Sequence, residues 1–221
     1  LAQLGAGAGL DKSGAQRIVH TLIRLGYLEQ RGGGYAPGHR VMERTFDYLR
    51  SNPLISRAIP ILTELRRDVM ERVDMSLFDD LTLMYAVRLQ SKRDSFYGHL
   101  IGRRVPTYCT AGGRSIMALL PDDQVQDILA RSNRMKITPR TTTDIRDIFM
   151  HIKRTRDVGY ATSLEEVHIG ELAVAAALKD KLGRPIGAIH VAGSLSEWQL
   201  DEFERRIAPL AVAAANAINS S

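Results

Sequence analysis

The stretch Gly9-Leu-Asp-Lys-Ser-Gly-Ala-Gln-Arg-Ile-Val-His-Thr-Leu-Ile-Arg-Leu-Gly-Tyr-Leu-Glu-Gln-Arg-Gly-Gly-Gly-Tyr35 decides the fold of the N-terminal part of the chain. Ala15, Ile18, Val19, Leu22 and Leu25 recur at helical spacing and predict a buried stripe. Lys12, Ser13, Gln16, Arg17, His20, Thr21 and Arg24 then face outward. Cations and amides on one face suit phosphate contact and the reading of base edges in a major groove. Gly26 supplies a helix stop, Tyr27 to Gln30 reads as a strand, Arg31-Gly32-Gly33-Gly34 as a turn, and Tyr35-Ala36-Pro37 as the return. A polar helix followed by a hairpin with Arg31 at its tip is the order of a winged helix-turn-helix. An ordinary amphipathic helix with a surface hairpin is the competing description; the small-residue turn, polar helix start, glycine stop and arginine-tipped wing, in that order, favour the DNA reader. Gly14 fits awkwardly, since a glycine inside a helix costs roughly 0.5–1 kcal/mol relative to alanine.

With 221 residues the chain suits a small module joined to a core of about 170 residues. The formal charge of +5 is compatible with a polyanionic partner, and residues 1–50 hold +3 of it. There Lys12, Arg17, Arg24, Arg31, Arg40, Arg44 and Arg50 stand against Asp11, Glu29, Glu43 and Asp47. A single cysteine, Cys109, excludes an intrachain disulfide framework and a cysteine-rich zinc site, so no metal is expected and a reducing cytoplasm fits. No apolar run reaches the roughly 18 residues of a membrane span, and Leu1-Ala-Gln-Leu-Gly-Ala-Gly-Ala-Gly9 lacks the cationic start of a secretory signal. A soluble, cytoplasmic protein without a membrane partner is expected. The chain starts without Met and reads as entering almost at once the turn before the recognition helix, so the first helix of a complete helix-turn-helix is expected to be missing.

Farther along, Gly38 to Arg50 places Val41, Thr45, Tyr48 and Leu49 on one helical face, and Ser51-Asn52-Pro53 closes it. The expected organisation is therefore a winged helix-turn-helix over residues 1–37, a linker helix over 38–52 and a second domain over 53–221. That domain opens with a helix burying Ile55, Ala58, Ile59, Leu62, Leu65 and Val69. Met75 to Phe78 and Leu81 to Leu89 read as paired strands around Asp79-Asp80. A loop rich in Gly, Pro and Arg (Gly98 to Pro106) precedes helices from Gly113 to Leu119 and from Pro121 to Arg131. Thr143-Asp144 caps a helix through Ile145, Ile148, Phe149 and Ile152 that ends at Gly159. Two strands, Glu171 to Lys179 and Pro185 to Gly193, flank the turn Lys181-Leu-Gly-Arg184, and Ser196-Glu-Trp198 starts a terminal helix. Strands interleaved with helices around hairpins predict an α+β domain with an antiparallel sheet.

If Asp180 pairs with Pro185 in the last hairpin, Ala173 faces Ala192, Ala175 faces His190 and Ala177 faces Ala188. One sheet face is then almost all alanine, while Leu172, Val174, Ala176, Leu178, Ile189 and Val191 fill the other. The alanine face is either the wall of a small-ligand cavity or the seat of a closely packed helix. In the first case His190 offers a hydrogen bond or a positive charge to a carboxylate.

Pro106-Thr-Tyr-Cys-Thr-Ala-Gly-Gly-Arg-Ser-Ile-Met-Ala-Leu-Leu-Pro121, preceded by Gly102, resembles a segment of the IclR family of bacterial transcription regulators. The family's effector domains carry Gly-x-x-x-Pro, then a Thr-Ala/Ser-x-Gly-Lys/Arg helix start, then Leu-Ala-x-Leu-Pro. Arg156 to Gly170, with Gly159-Tyr160 and Glu166, is similar to the family's Gly-Tyr-x-x-x-x-x-Glu-x-x-x-Gly, and Gly9 to Arg17 with Gly26-Tyr27 extends the likeness over nearly the whole chain. The resemblance implies a winged helix reading a double-stranded DNA operator, a GAF-like domain binding a small carboxylate effector, and a homodimer or dimer of dimers. It also implies an effector pocket lined by Ala111, Gly112, Gly113, Ala173, His190 and Ala192. Members that bind glyoxylate-like acids carry Cys and Ser at the last three of these positions, so this chain is expected to take a larger carboxylate, aromatic acids included. Tyr108-Cys109-Thr110 resembles the branch that regulates aromatic-acid catabolism, including protocatechuate and hydroxybenzoate regulators.

Other constellations carry less. Cys109 with His99 lacks an orienting carboxylate for a thiol nucleophile, and Glu165, Glu166, His168 and Glu171 read as polar groups of a loop rather than metal ligands. Gly5-Ala-Gly-Ala-Gly9 follows no strand, as a dinucleotide fingerprint would require, and no other cofactor motif occurs. Two classes of function result: a ligand-responsive DNA-binding regulator that is not an enzyme, or a small-molecule sensor or enzyme with a basic protein-interaction module. Salt separates them, because a phosphate-neutralising reader loses affinity steeply as counterions are added.

Overall fold

The computed structural model describes residues 2–91 and 101–220. His99 and the start of the Gly98 to Pro106 loop lie outside the described residues. The chain divides into two compact units, Leu1–Pro53 and Leu54–Ser221.

The first unit departs from expectation at its start. The Gly/Ala opening, read as a turn alone, is a helix, α1 (Ala2–Gly7), packed on α2 (Lys12–Arg24), so a helix does precede the recognition helix. Asp11 caps α2, its Oδ1 accepting the Gly14 N–H at 2.7 Å. A Cβ on Gly14 would lie 2.7 Å from that same oxygen, so the glycine is what lets the cap close. Ala15 and Val19 form the buried line, with Leu22 and Ile23 half-buried; Ile18 and Leu25, expected in the stripe, are exposed. At 3.6 residues per turn they lie roughly 80° and 100° away from the Ala15–Val19 direction, beyond what a thin module covers. β1 (Leu28–Arg31) and β2 (Gly34–Pro37) form the wing, turning through Gly32 and Gly33 at φ +56° and +78°, which side chains other than glycine rarely adopt. α3 (Arg40–Ser51) follows, with every residue exposed or half-buried.

In the second unit α4 (Pro53–Val69) buries Ile55, Ala58, Leu62, Leu65 and Val69, while Ile59 is exposed, at the edge of the stripe. The sheet has six antiparallel strands in the order β5-β4-β3-β8-β7-β6. These are β3 (Arg72–Asp79), β4 (Thr82–Leu89), β5 (Arg104–Pro106), β6 (Ala161–Leu164), β7 (Glu171–Lys179) and β8 (Pro185–Ser194). The expected pairs Ala173–Ala192, Ala175–His190 and Ala177–Ala188 are all present. Their premise at the turn differs: Pro185 pairs with Lys179, an irregularity follows Leu178, and Asp180 instead holds the turn through the N–H groups of Leu182 and Arg184.

The alanine face seats a closely packed helix. α5 (Ala111–Met117) lies on it, Ala111 meeting Ala161 and Ala175 while Ile116 meets Ala188. Large side chains on β7 and β8 would push this helix away. On the opposite face α8 (Leu200–Ser220) packs against β7 and β8, where Leu172, Val174, Leu178, Ile189 and Val191 are fully buried. α6 (Asp122–Arg131) and α7 (Ile145–Val158) enclose a further cluster with Tyr108, Cys109 and Met117. Asp144 caps α7, and Gly159 ends it at φ +84°.

Candidate functional site

The exposed face of α2 holds every residue expected there: Lys12, Ser13, Gln16, Arg17, His20, Thr21 and Arg24 are all exposed. The helical period puts Ser13, Arg17, His20 and Arg24 at the centre of that face, with Gln16 and Thr21 on its flanks. The Thr21 hydroxyl donates to the Arg17 carbonyl at 2.9 Å, and Arg31 in the wing pairs with Glu29 at 2.5 Å, both in water. The remaining side chains are exposed along the whole helix, from Lys12 in its first turn to Arg24 in its last.

In the second unit the alanine face continues into a charged half. Strand pairing sets Arg72 beside Ala192, Asp74 beside His190 and Ser76 beside Ala188, and on the other side of β3 Asp74 beside Arg88 and Ser76 beside Tyr85. Asp74 is fully buried. It accepts from Arg72 Nε at 2.9 Å and from Arg88 Nε and Nη2 at 3.2 and 3.3 Å. The Arg88 guanidinium lies 4.2 Å from the Tyr85 ring centre, and Tyr85 meets the His190 ring edge-on. Burial pushes the Asp74 carboxyl up, against the pull of the two guanidiniums.

A cavity of about 30 Å³ opens between this face and the loop after β6. Ala111, Ala173, His190 and Ala192 line it, together with Arg72, Asp74, Tyr85, Glu166, His168 and Glu171. Gly112 and Gly113 do not, which corrects their expected role. A Cβ on Gly112 would lie 2.0 Å from His190 Cε1 and one on Gly113 1.8 Å from the Thr107 carbonyl oxygen, so both glycines serve close packing. The Gly113 N–H is already held by the Thr110 hydroxyl at 3.0 Å.

His190 is also corrected in charge. Burial, with Arg72 and Arg88 close by, pushes its imidazole down to about 3, so it is neutral at physiological pH and presents no cation. Its Nε2 lies 2.8 Å from Ser76 Oγ, which donates to the Ala188 carbonyl. The neutral ring thus shares one hydrogen bond with that hydroxyl through Nε2, and Nδ1 is its other polar atom. α5 occupies most of the alanine face, so the inner cavity by itself leaves about the volume of one water.

Sequence reasoning missed the charged half. Arg72-Val-Asp-Met-Ser76 alternates polar and apolar residues as a half-buried strand does, but its charges stopped the strand reading at Met75. It also missed the tie between helix and loop: Arg114 on α5, with its side chain 1% exposed, grips Glu166 through both guanidinium nitrogens, and Thr142 donates to the same carboxylate at 2.9 Å. Glu166, read as a loop group, is thus a buried ion-pair partner. Tyr108 and Cys109 belong to the core, and burial pushes the Cys109 thiol up to about 12, which leaves it inert at neutral pH.

An exposed basic helix with a wing, carried in one chain with an α+β domain that encloses a buried ionic cavity, is the arrangement of a winged-helix DNA-binding protein with a second domain. The family description Bacterial transcriptional regulator IclR C-terminal matches residues 46–220, and IclR helix-turn-helix domain matches residues 1–32. The chain belongs to the IclR family of bacterial transcriptional regulators. It is similar to the Pca regulon regulatory protein of Pseudomonas putida, at 27% identity over 97% of this chain and 74% of that protein. It is also similar to the p-hydroxybenzoate hydroxylase transcriptional activator of Acinetobacter baylyi, at 24% identity over 99% of this chain and 82% of that protein. The crystal structure of a transcriptional regulator from Rhodococcus sp. RHA1 matches with a TM-score of 0.82 at 27% identity, over 98% of this chain and 86% of that one. The protein is a transcriptional regulator and not an enzyme. Among the described residues no helix is long and apolar enough to cross a membrane.

Proposed function

We propose that the chain is a ligand-responsive regulator in which residues 1–37 read a double-stranded operator, 38–52 link, and 53–221 bind a small carboxylate and oligomerise. The observation that carries the reading is the pair of arginines, half-buried Arg72 and Arg88 with its side chain 4% exposed, that flank the buried Asp74 beside a cavity on the sheet face. Two cations largely withdrawn from water are matched to an anionic ligand at low desolvation cost. Aromatic acids are favoured among carboxylates by Tyr85 and His190 on the cavity wall and by the relative that activates p-hydroxybenzoate hydroxylase. The neutral His190 supplies a hydrogen bond to a polar group of the ligand, and Ala111, Ala173 and Ala192 supply apolar wall. On α2, Arg17, Arg24, Lys12 and the wing's Arg31 anchor phosphates, while Ser13, Gln16, His20 and Thr21 face base edges.

A thermal-shift screen of aromatic and aliphatic monocarboxylates tests the effector assignment. Aromatic acids are expected to raise the melting temperature, and His190→Ala, which lowers the unliganded transition through lost packing, is expected to reduce the rise above its own baseline. Stabilisation by short keto acids alone contradicts the aromatic assignment. Val41, Met42, Phe46 and Tyr48 of α3 are exposed, a placement that supports a further contact between copies through this linker helix, beside the oligomer contacts of residues 53–221. Light scattering on Phe46→Glu is expected to show a smaller assembly than the parent chain, and an unchanged mass contradicts that interface.

A further inference from the structure

The small inner cavity has an outer neighbour, a cleft of about 240 Å³, and the two share four lining residues: Arg72, His168, Glu171 and Ala192. Those four form the partition. One ion pair closes it, Arg72 Nη1 to Glu171 Oε2 at 2.8 Å. Arg72 stands on β3 and Glu171 on β7, so the pair spans the intervening strand β8. It does so over Ala192, the residue paired with Arg72, whose methyl group leaves the gap that the two long side chains bridge. The two partners are not alike in how they are held. Arg72 is fixed at its other end by Asp74, whereas the Glu171 side chain is a quarter exposed and has this single ion-pair partner among the described residues.

One buried donor stands on the wall of the outer cleft: Gln90 Nε2 has no hydrogen-bond partner among the described residues. A second, Nη1 of Arg88, whose side chain is 4% exposed, is in the same condition behind Asp74, away from the lining of either space. Buried donors without acceptors are costly and uncommon. An unmatched donor on the cleft wall and an internal carboxylate in the partition describe a cleft adapted to receive an acceptor group from outside.

We propose that the Arg72–Glu171 ion pair is a gate held by an internal stand-in for the ligand: a ligand carboxylate replaces Glu171 on Arg72 and in doing so joins the outer cleft to the inner cavity. The proposal rests on the reading of this domain as a carboxylate sensor and assigns its anchor, its entry route and the charge it selects. The joined space approaches the roughly 300 Å³ at which small-molecule sites begin, which the inner cavity alone does not. A monocarboxylate leaves the charge on Arg72 balanced as Glu171 turns to the solvent side. A second carboxylate on the ligand would face Asp74 and Glu166 on the inner wall and be repelled.

Calorimetric titration of the whole chain with benzoate, propionate and the uncharged benzamide tests the gate, on the wild type, Glu171→Gln and Arg72→Gln. Removing the internal competitor is expected to tighten carboxylate binding about tenfold, the worth of one charge-assisted hydrogen bond, and to leave benzamide unaffected. Arg72→Gln is expected to abolish binding of both acids. Should that variant melt below the assay temperature, Arg72→Lys replaces it, with affinity lowered because the fork that grips a carboxylate is lost. A wild type that binds an acid, with Glu171→Gln no tighter or an arginine variant as tight, overturns the gate and leaves the sensor reading standing. If neither wild type nor Glu171→Gln binds either acid, the sensor reading falls with it.

Discussion

In the N-terminal unit the charges stand in water, and in the C-terminal unit the important ones are buried in pairs. Arg31 and Glu29 in the wing are 75% and 43% exposed at the side chain, whereas Arg114 and Glu166 are 1% and 6% exposed. An exposed pair contributes about 0–1 kcal/mol and leaves its cation free to meet a phosphate. A buried pair is costly to break and fixes geometry, here the seat of α5 against the loop that walls the cavity. Recognition of DNA needs the first arrangement, and enclosure of a small ligand needs the second.

The sharpest break of this comparison is Arg114→Met. It leaves Glu166 buried and without its guanidinium, and a loss of about 3–5 kcal/mol is expected by denaturant unfolding of the second unit. Arg24→Ala in the same assay is expected to change stability by less than about 0.5 kcal/mol. An Arg114 variant as stable as Arg24→Ala would remove the distinction.

Acid sharpens it next. The folded-state His190 sits near 3, below the value of about 6.5 it regains when unfolded. The unfolded chain therefore binds the extra proton between those values, so stability is complete above about pH 6.5 and falls as the pH drops toward 3. His190→Gln is expected to recover on the order of 3 kcal/mol of the loss between pH 6.5 and 4. Parallel pH profiles for the two proteins would contradict a neutral buried imidazole.

Smaller effects belong to the exposed helix. Asp11→Ala removes the cap on α2 and is expected to cost about 1 kcal/mol in the melting of the N-terminal unit. Arg17→Ala is expected to leave stability alone, weaken binding to every DNA sequence and lower the salt slope by about 1, while Gln16→Ala changes which bases are preferred. An Arg17 variant that alters base preference with an unchanged salt slope would reverse those roles.

The same contrast explains what could be read from the sequence. α2 was legible because its outward face follows from local period alone, although the assignment of Ile18 and Leu25 to the buried stripe failed where the module is too thin to cover them. The alanine face was legible because one hairpin turn sets the register of β7 and β8. The charged half was not, since Arg72 and Asp74 meet His190 through strands separated by more than a hundred residues, and no local pattern shows that pairing. Nor could spacing reveal that Glu166 would be claimed by Arg114 and Glu171 by Arg72. The glycines after Thr110 were seen as a helix start; that one faces an imidazole and the other a carbonyl depends on the packed structure.

The central claim, that a carboxylate bound in the second unit controls operator binding by the first, is tested most directly by fluorescence anisotropy on DNA from the protein's own upstream region. The titration is run at fixed salt with and without the monocarboxylates that raise the melting temperature. The account predicts a DNA affinity shifted at least about fivefold by a stabilising acid, and lost steeply as salt is raised. Acids that stabilise the protein while leaving the DNA isotherm in place would contradict it.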